Sequence, residues 1–211
     1  MDHFKKAKRI DRVENDADEQ YVLEQFPEIY GLSEEHQELV LDGFTNYVPE
    51  YFWTIPSSSS GKYHSDDECG EYGNVLHTKR VMTVFERLAR SWTEQGLITE
   101  YEQELGRVAV LFHDAWKNGW PSENNDHTVQ YHDVIGAAVT DVLMDVDERV
   151  SGAIAAHNGS WGEGPSPSTE LQQLVHNADM VAADDAVDIA VLEPSEELLS
   201  IRDDLPTIEL D

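Results

Sequence analysis

The chain has 211 residues, enough for one sizeable core with tails, and its 43 acidic against 14 basic residues leave a net charge of −29. No apolar run is long enough for a transmembrane helix and no basic stretch leads into an apolar one, so neither a membrane span nor a signal peptide is expected and a cytoplasmic location is assigned. The single cysteine, Cys69, excludes an internal disulfide and reads as a loop residue.

Residues 1–20 are charged and poor in apolar side chains, a frayed tail or loosely held helix that carries Lys5, Lys6, Lys8, Arg9 and Arg12. From Ser33, a candidate N-cap, Leu39, Val40, Leu41 and Phe44 give a helix an apolar face. Residues 49–63 read as loop, with Pro56, four serines and Gly61, and an acidic stretch follows to Gly73. Val75, Leu76, Val81, Val84, Phe85, Leu88, Ala89 and Trp92 then recur at helical spacing up to Gly96. Thr99 and Glu102 form a capping-box pattern that opens a helix running to His113. Three more helices are predicted over 128–143, 147–157 and 168–191, with a glycine- and proline-rich segment before the last. No alternating pattern is long enough to build a sheet. The expected fold is all-α, a helical bundle over residues 26–192 between a charged tail (1–25) and an acidic tail (193–211).

The acids are spread through segments that keep their apolar periodicity, and only six residues are lysine. Such a surface suits molar salt, where the Debye length falls to about 3 Å and self-repulsion is screened. A halophilic host, or a virus of one, is the expectation. An acidic DNA mimic would share the charge, but it has no use for buried histidines.

Chemistry concentrates around an adjacent pair, His113-Asp114, that closes the apolar run Arg107 to Phe112. Histidine and aspartate at the end of a buried helix must be paired, hydrogen-bonded or bound to metal. His77, His132, His157 and Asp179 stand on other apolar segments, and a bundle can aim all of them at one point in its core. Mixed nitrogen and carboxylate donors without cysteine suit Mn, Fe, Co, Ni, Mg or Zn. His176, one turn before Asp179, reads as an orienter of the ligands, and His64 as either a cap on the entrance or a loop residue. His127 reads as a surface residue near a helix start. Lys62, Lys79, Arg80 and Lys117 flank these positions; Lys117 and Arg80 are the expected substrate contacts, while Lys79 reads as a helix ion pair. Trp116, Trp120 and Trp161 read as aromatic packing before base stacking.

The ordered series His77, His113-Asp114, Asp179 resembles the H…HD…D signature of HD-domain phosphohydrolases over about residues 55–190. His113-Asp114-Ala115-Trp116-Lys117 is similar to the family's HD-x-x-K segment, and His132 to Ala137 to its H-x-x-x-G-A segment. His157-Asn158-Gly159, then Trp161-Gly162, Pro165, His176 and Asp179, is similar to the H-H-G…W-G…P…H-x-x-D run of bacterial 3′→5′ exoribonucleases. The stretches around His64 and His77 resemble phage-associated HD proteins. The resemblance implies a helical bundle with a metal site in its core. His77, His113, Asp114 and Asp179 would hold one ion, and Asp114 would bridge to a second held by His132 and His157. Lys117 would face the phosphate or orient the water. Asn158 stands where the family's doublet has a second histidine, which would weaken the second ion and leave one or two in place.

The implied activity is hydrolysis of a nucleotide phosphoester by metal-activated water. A 3′→5′ nuclease on single-stranded nucleic acid is the alternative within that chemistry, and a non-catalytic metal- or nucleotide-binding signalling module the alternative outside it. No broad basic stripe supports nucleic-acid binding, no membrane partner is implied, and the sequence does not fix an oligomeric state.

Overall fold

Apolar residues at helical spacing become helices throughout the computed structural model, which describes residues 17–58, 64–120 and 127–191. The basic residues of the N-terminal segment, Lys62 and the expected C-terminal tail lie outside the described residues. Among the described residues there are seven α-helices and no strand. No helix among them is long and apolar enough to cross a membrane.

The first helix, α1 (Glu19–Gln25), falls within the segment expected to be tail. Asp18 caps it by accepting from the Tyr21 amide at 2.8 Å, and Val22 and Phe26 are buried in the core. The bundle therefore begins earlier than its charge pattern suggests. Ser33 occupies the N-cap of α2 (Glu34–Asn46), yet its side chain makes no capping bond. Its amide donates instead to Glu104, 2.7 Å away, and Glu104 also meets His36 Nδ1 at 2.7 Å. Within the expected loop, a 3₁₀ turn at Glu50–Trp53 buries Phe52 and Trp53. These rings pack with Phe26 and Phe44, and Phe44 stacks on Phe112 at 4.9 Å.

A second 3₁₀ turn, Asp66–Cys69, leads into α3 (Gly73–Glu94). Gly73 is the residue the junction requires, because a Cβ there would lie 1.9 Å from the Glu68 carbonyl oxygen. The predicted capping box opens α4 (Glu100–Phe112): the Thr99 hydroxyl accepts from the Glu102 amide, and the Glu102 carboxylate accepts from the Thr99 amide. The last five residues of α4, Val108 to Phe112, are all apolar and buried, as a helix end enclosed all round must be. It packs on α3, α6 (Glu148–Ala156) and α7 (Glu170–Ala182), while α5 (His132–Leu143) packs on α6.

Two boundaries differ from expectation. Helix α5 starts at His132, after a turn, rather than at 128. Helix α7 stops at Ala182 rather than near 191. Asp184 and Asp185 follow, and negative charge is unfavourable at a helix C-terminus.

Candidate metal centre

Helix α4 delivers His113 and Asp114 to the middle of the molecule at its C-terminal end. His77 comes from the second turn of α3, His132 from the start of α5, His157 from the end of α6 and Asp179 from the last turn of α7. All six are buried, none more than 7 % exposed. They fall into two groups able to hold a metal ion, His77 with His113 and Asp179, and Asp114 with His132 and His157.

The Asp114 carboxylate stands between the groups. Its Oδ2 lies 3.6 Å from His113 Nε2 and 3.9 Å from His77 Nε2; its Oδ1 lies 3.1 Å from His132 Nε2 and 3.6 Å from His157 Nε2. Lys117 Nζ hydrogen-bonds Oδ2 from one turn further on.

Backbone carbonyls fix which ring nitrogens face inward. His113 Nδ1 donates to Val110 (2.7 Å), His132 Nδ1 to Val129 (2.8 Å) and His157 Nδ1 to Ile154 (2.7 Å). A carbonyl only accepts, so Nδ1 carries the proton and, in the neutral ring, each Nε2 presents a lone pair to the centre. His132 Nε2 accepts from the Asn158 amide at 3.1 Å, whereas the Nε2 atoms of His113 and His157 face Asp114 oxygens at 3.6 Å, an arrangement that a cation between the partners relieves. His113 Nε2, His157 Nε2 and Asp114 Oδ1 are buried with no hydrogen-bond partner among the described groups. Such atoms cost about 1–3 kcal/mol each when left unsatisfied. A divalent ion satisfies all three, so the donor set fits the metal.

Charge and burial oppose each other here. Burial disfavours a charged His77, but Asp179, whose Oδ1 is 3.0 Å from Nε2, and Glu68, whose Oε2 is 3.3 Å from Nδ1, push its pKa up to about 9. Burial pushes His113 down to about 4 against the pull of Asp114 and Asp179. Burial also opposes the charge on Asp114, yet Lys117 and His113 hold its carboxyl well below the usual range. His77 and His113 hold Asp179 low against the same penalty.

Glu68 is the principal residue that sequence reasoning missed. It is fully buried and joins His77, His64 (Nδ1 at 2.7 Å) and Arg80 (2.6 Å) through one carboxylate. Its only signal in the sequence was a position shortly before the helix that carries His77. Asp133 and Asn74 were also missed: both are fully buried, Asp133 accepts from the Gly164 amide at 3.0 Å, and Asn74 donates to the Asp114 carbonyl at 3.4 Å. His176 Nδ1 donates to the His157 carbonyl at 2.6 Å, and its ring packs under Gly159, where φ is +53°.

Arg80 is a correction. It does not line the cleft; its guanidinium is held by Asp67 (2.7 Å), Glu68 (2.6 Å) and the Ile189 carbonyl (3.2 Å). Among the described residues, therefore, the expected cationic cluster does not form around the site. Lys79 also points elsewhere, to Gln25 at 3.0 Å. Trp116 is core, its indole N–H donating to the Tyr47 carbonyl at 3.0 Å, and Trp120 packs against it. Trp161 instead stands 69 % exposed on the rim of a cleft of about 490 Å³ that opens over Asp114. His64 and Lys117 line this cleft with His77, His132, Asn158 and Asp179. His127 is exposed.

A family model for the HD domain matches residues 75–184, a span that holds all six of the converging side chains. No curated protein and no solved structure matches the chain. With a match over more than half its length, on an all-α fold with buried histidine and aspartate groups in its core, the chain belongs to the HD-domain family.

Proposed function

We propose that the protein is a divalent-metal-dependent phosphohydrolase that cleaves a phosphoester of a nucleotide. The observation that carries this reading is the placement of Asp114 between two groups of inward-facing ligand atoms. His77, His113, Asp114 and Asp179 would hold one ion; Asp114, His132 and His157 would hold a second. A bound ion supplies Lewis acidity, lowering the pKa of water to about 7 and neutralising phosphoryl oxygens.

The protein's own groups position the reaction. The Nδ1 hydrogen bonds to backbone carbonyls keep three imidazoles in the ligating tautomer, and His176 steadies the turn after His157. Lys117 is held beside Asp114 and faces the phosphate, while His64 reaches the substrate from the cleft wall. The water oxygen bonds to phosphorus, the ester P–O bond breaks, and its electron pair leaves with the alcohol oxygen, which takes up a proton.

The size of the cleft suits a nucleotide-sized ligand, and exposed Trp161 offers a face on which a base can stack. A nuclease would need a cationic track for the strand, and Arg80 and Lys79 are turned away from the cleft. The acid excess supports a cell or virus in concentrated salt as the protein's setting.

The test is a hydrolysis screen in concentrated KCl with Mn, Co, Ni and Mg in turn, using nucleotides and single-stranded oligonucleotides, with Asp114→Ala as control. Turnover that the substitution abolishes is the expected result. Stoichiometric metal binding with no turnover of any substrate would make the protein a binding module instead.

A further inference from the structure

Resting on the phosphohydrolase reading, the geometry points to a narrower substrate class: we infer that the cleft selects small substrates with a single phosphoryl group and that Asp184 and Asp185 reject polyphosphates. Both aspartates are exposed, both line the same cleft as Asp114, and they follow the C-terminal end of α7. The last turn of α7 carries no basic residue. The negative end of its dipole is therefore left without a compensating charge on that turn and adds to the two carboxylates. Asp179, Met180 and Ala183, from the same end of α7, line the cleft as well, so this negative wall continues to the metal ligands.

The positive side is concentrated at one point. Among the described residues Lys117 is the one lysine or arginine that lines the cleft, and its ammonium sits on Asp114 at the bottom. Bound ions would add their charge at that same place. One phosphoryl group fits there in a favourable field. A second and third would share the cleft with Asp184 and Asp185 and lose Coulomb energy with each added charge. A cleft of about 490 Å³ is of the size that takes a mononucleotide. At the rim, Trp161 leaves an uncharged surface for the remainder of the substrate.

Because the two carboxylates are exposed, their repulsion is screened by salt, which a purely steric filter would not be. Asp184 Oδ1 accepts from the Ala186 amide at 2.9 Å, a bond that asparagine keeps, so the neutral variants preserve the turn.

The experiment compares kcat/KM of the full chain with Mn for the 5′-mono-, di- and triphosphate of one nucleoside, its 3′,5′-cyclic phosphate and a short single strand. It is run on the wild type and on Asp184→Asn/Asp185→Asn, at about 0.1 M and about 1 M KCl. The expected result is a fall of roughly tenfold or more from mono- to triphosphate at low salt, narrowed several-fold by salt and by the double substitution. Preferred turnover of the cyclic substrate supports the same class and assigns a diester rather than a monoester. Equal or better use of the triphosphate or the strand overturns this inference while leaving the phosphohydrolase reading intact, as does a gap that neither salt nor the double variant moves. Turnover of no substrate overturns both.

Discussion

Replacing Glu68 with glutamine keeps the shape of the side chain and removes the charge that His77, His64 and Arg80 share. Glu68 is fully buried, and those three partners together hold its carboxyl well below the usual range even though burial opposes its charge. Removing one member of a buried ion pair costs about 3–5 kcal/mol. Here Arg80 keeps Asp67, which accepts at 2.7 and 2.9 Å, so a loss of roughly 2 kcal/mol in folding free energy is expected. The effect on metal is separable. Glu68 faces His77 Nδ1 at 3.3 Å and so directs Nε2 inward; loss of such a partner weakens metal binding by about 10–100-fold. Calorimetric titration with Mn, alongside urea unfolding, reads both. Glu86→Gln, which breaks the more exposed Arg107 pair, is the control that lowers stability without touching the ligands. Metal affinity in Glu68→Gln equal to that of Glu86→Gln would refute a positioning role for Glu68.

Three more outcomes follow from the same contacts. His77 is raised from 6.5 to about 9, so in metal-free protein its contribution is fully present below pH 6.5 and lost as pH climbs through about 9, worth roughly 3 kcal/mol. His113 is lowered from 6.5 to about 4, so stability falls again as pH drops from 6.5 toward 4. Urea midpoints of the chelated protein should therefore peak near neutrality, and a flat profile between these limits would contradict the two assignments. Gly73→Ala places a Cβ 1.9 Å from the Glu68 carbonyl oxygen and should cost roughly 2–3 kcal/mol in urea unfolding; a neutral effect would mean the 66–69 turn yields freely. Concentrated KCl should raise the urea midpoint of a chain with net charge −29, and a midpoint independent of salt would remove the case for a saline setting.

The legible parts of this sequence were those with a local cause. Thr99 and Glu102 define a helix start within four residues, and the long apolar stripe after Gly73 could only be a helix. His113, His132 and His157 were conspicuous because imidazoles on apolar segments have few inexpensive fates. What stayed hidden depended on partners distant in the chain. Glu68 looked like one more acid in an acidic stretch, and only its burial against α3 separates it from its solvated neighbours Asp66 and Asp67. The same contact accounts for Arg80, whose position beside His77 suggested substrate while its guanidinium turns back to Asp67 and Glu68. Helix α1 was concealed by the charged segment preceding it, since seven residues around Val22 carry little periodicity.

The most direct test of the account is a crystal of the full chain soaked in Mn and measured at an anomalous wavelength. The expected result is density within ligand distance of the Asp114 carboxylate, coordinated by His77, His113 and Asp179 on one side, with any second ion on the side of His132 and His157. Anomalous density confined to surface acids, with the six buried side chains left as they stand, would contradict it.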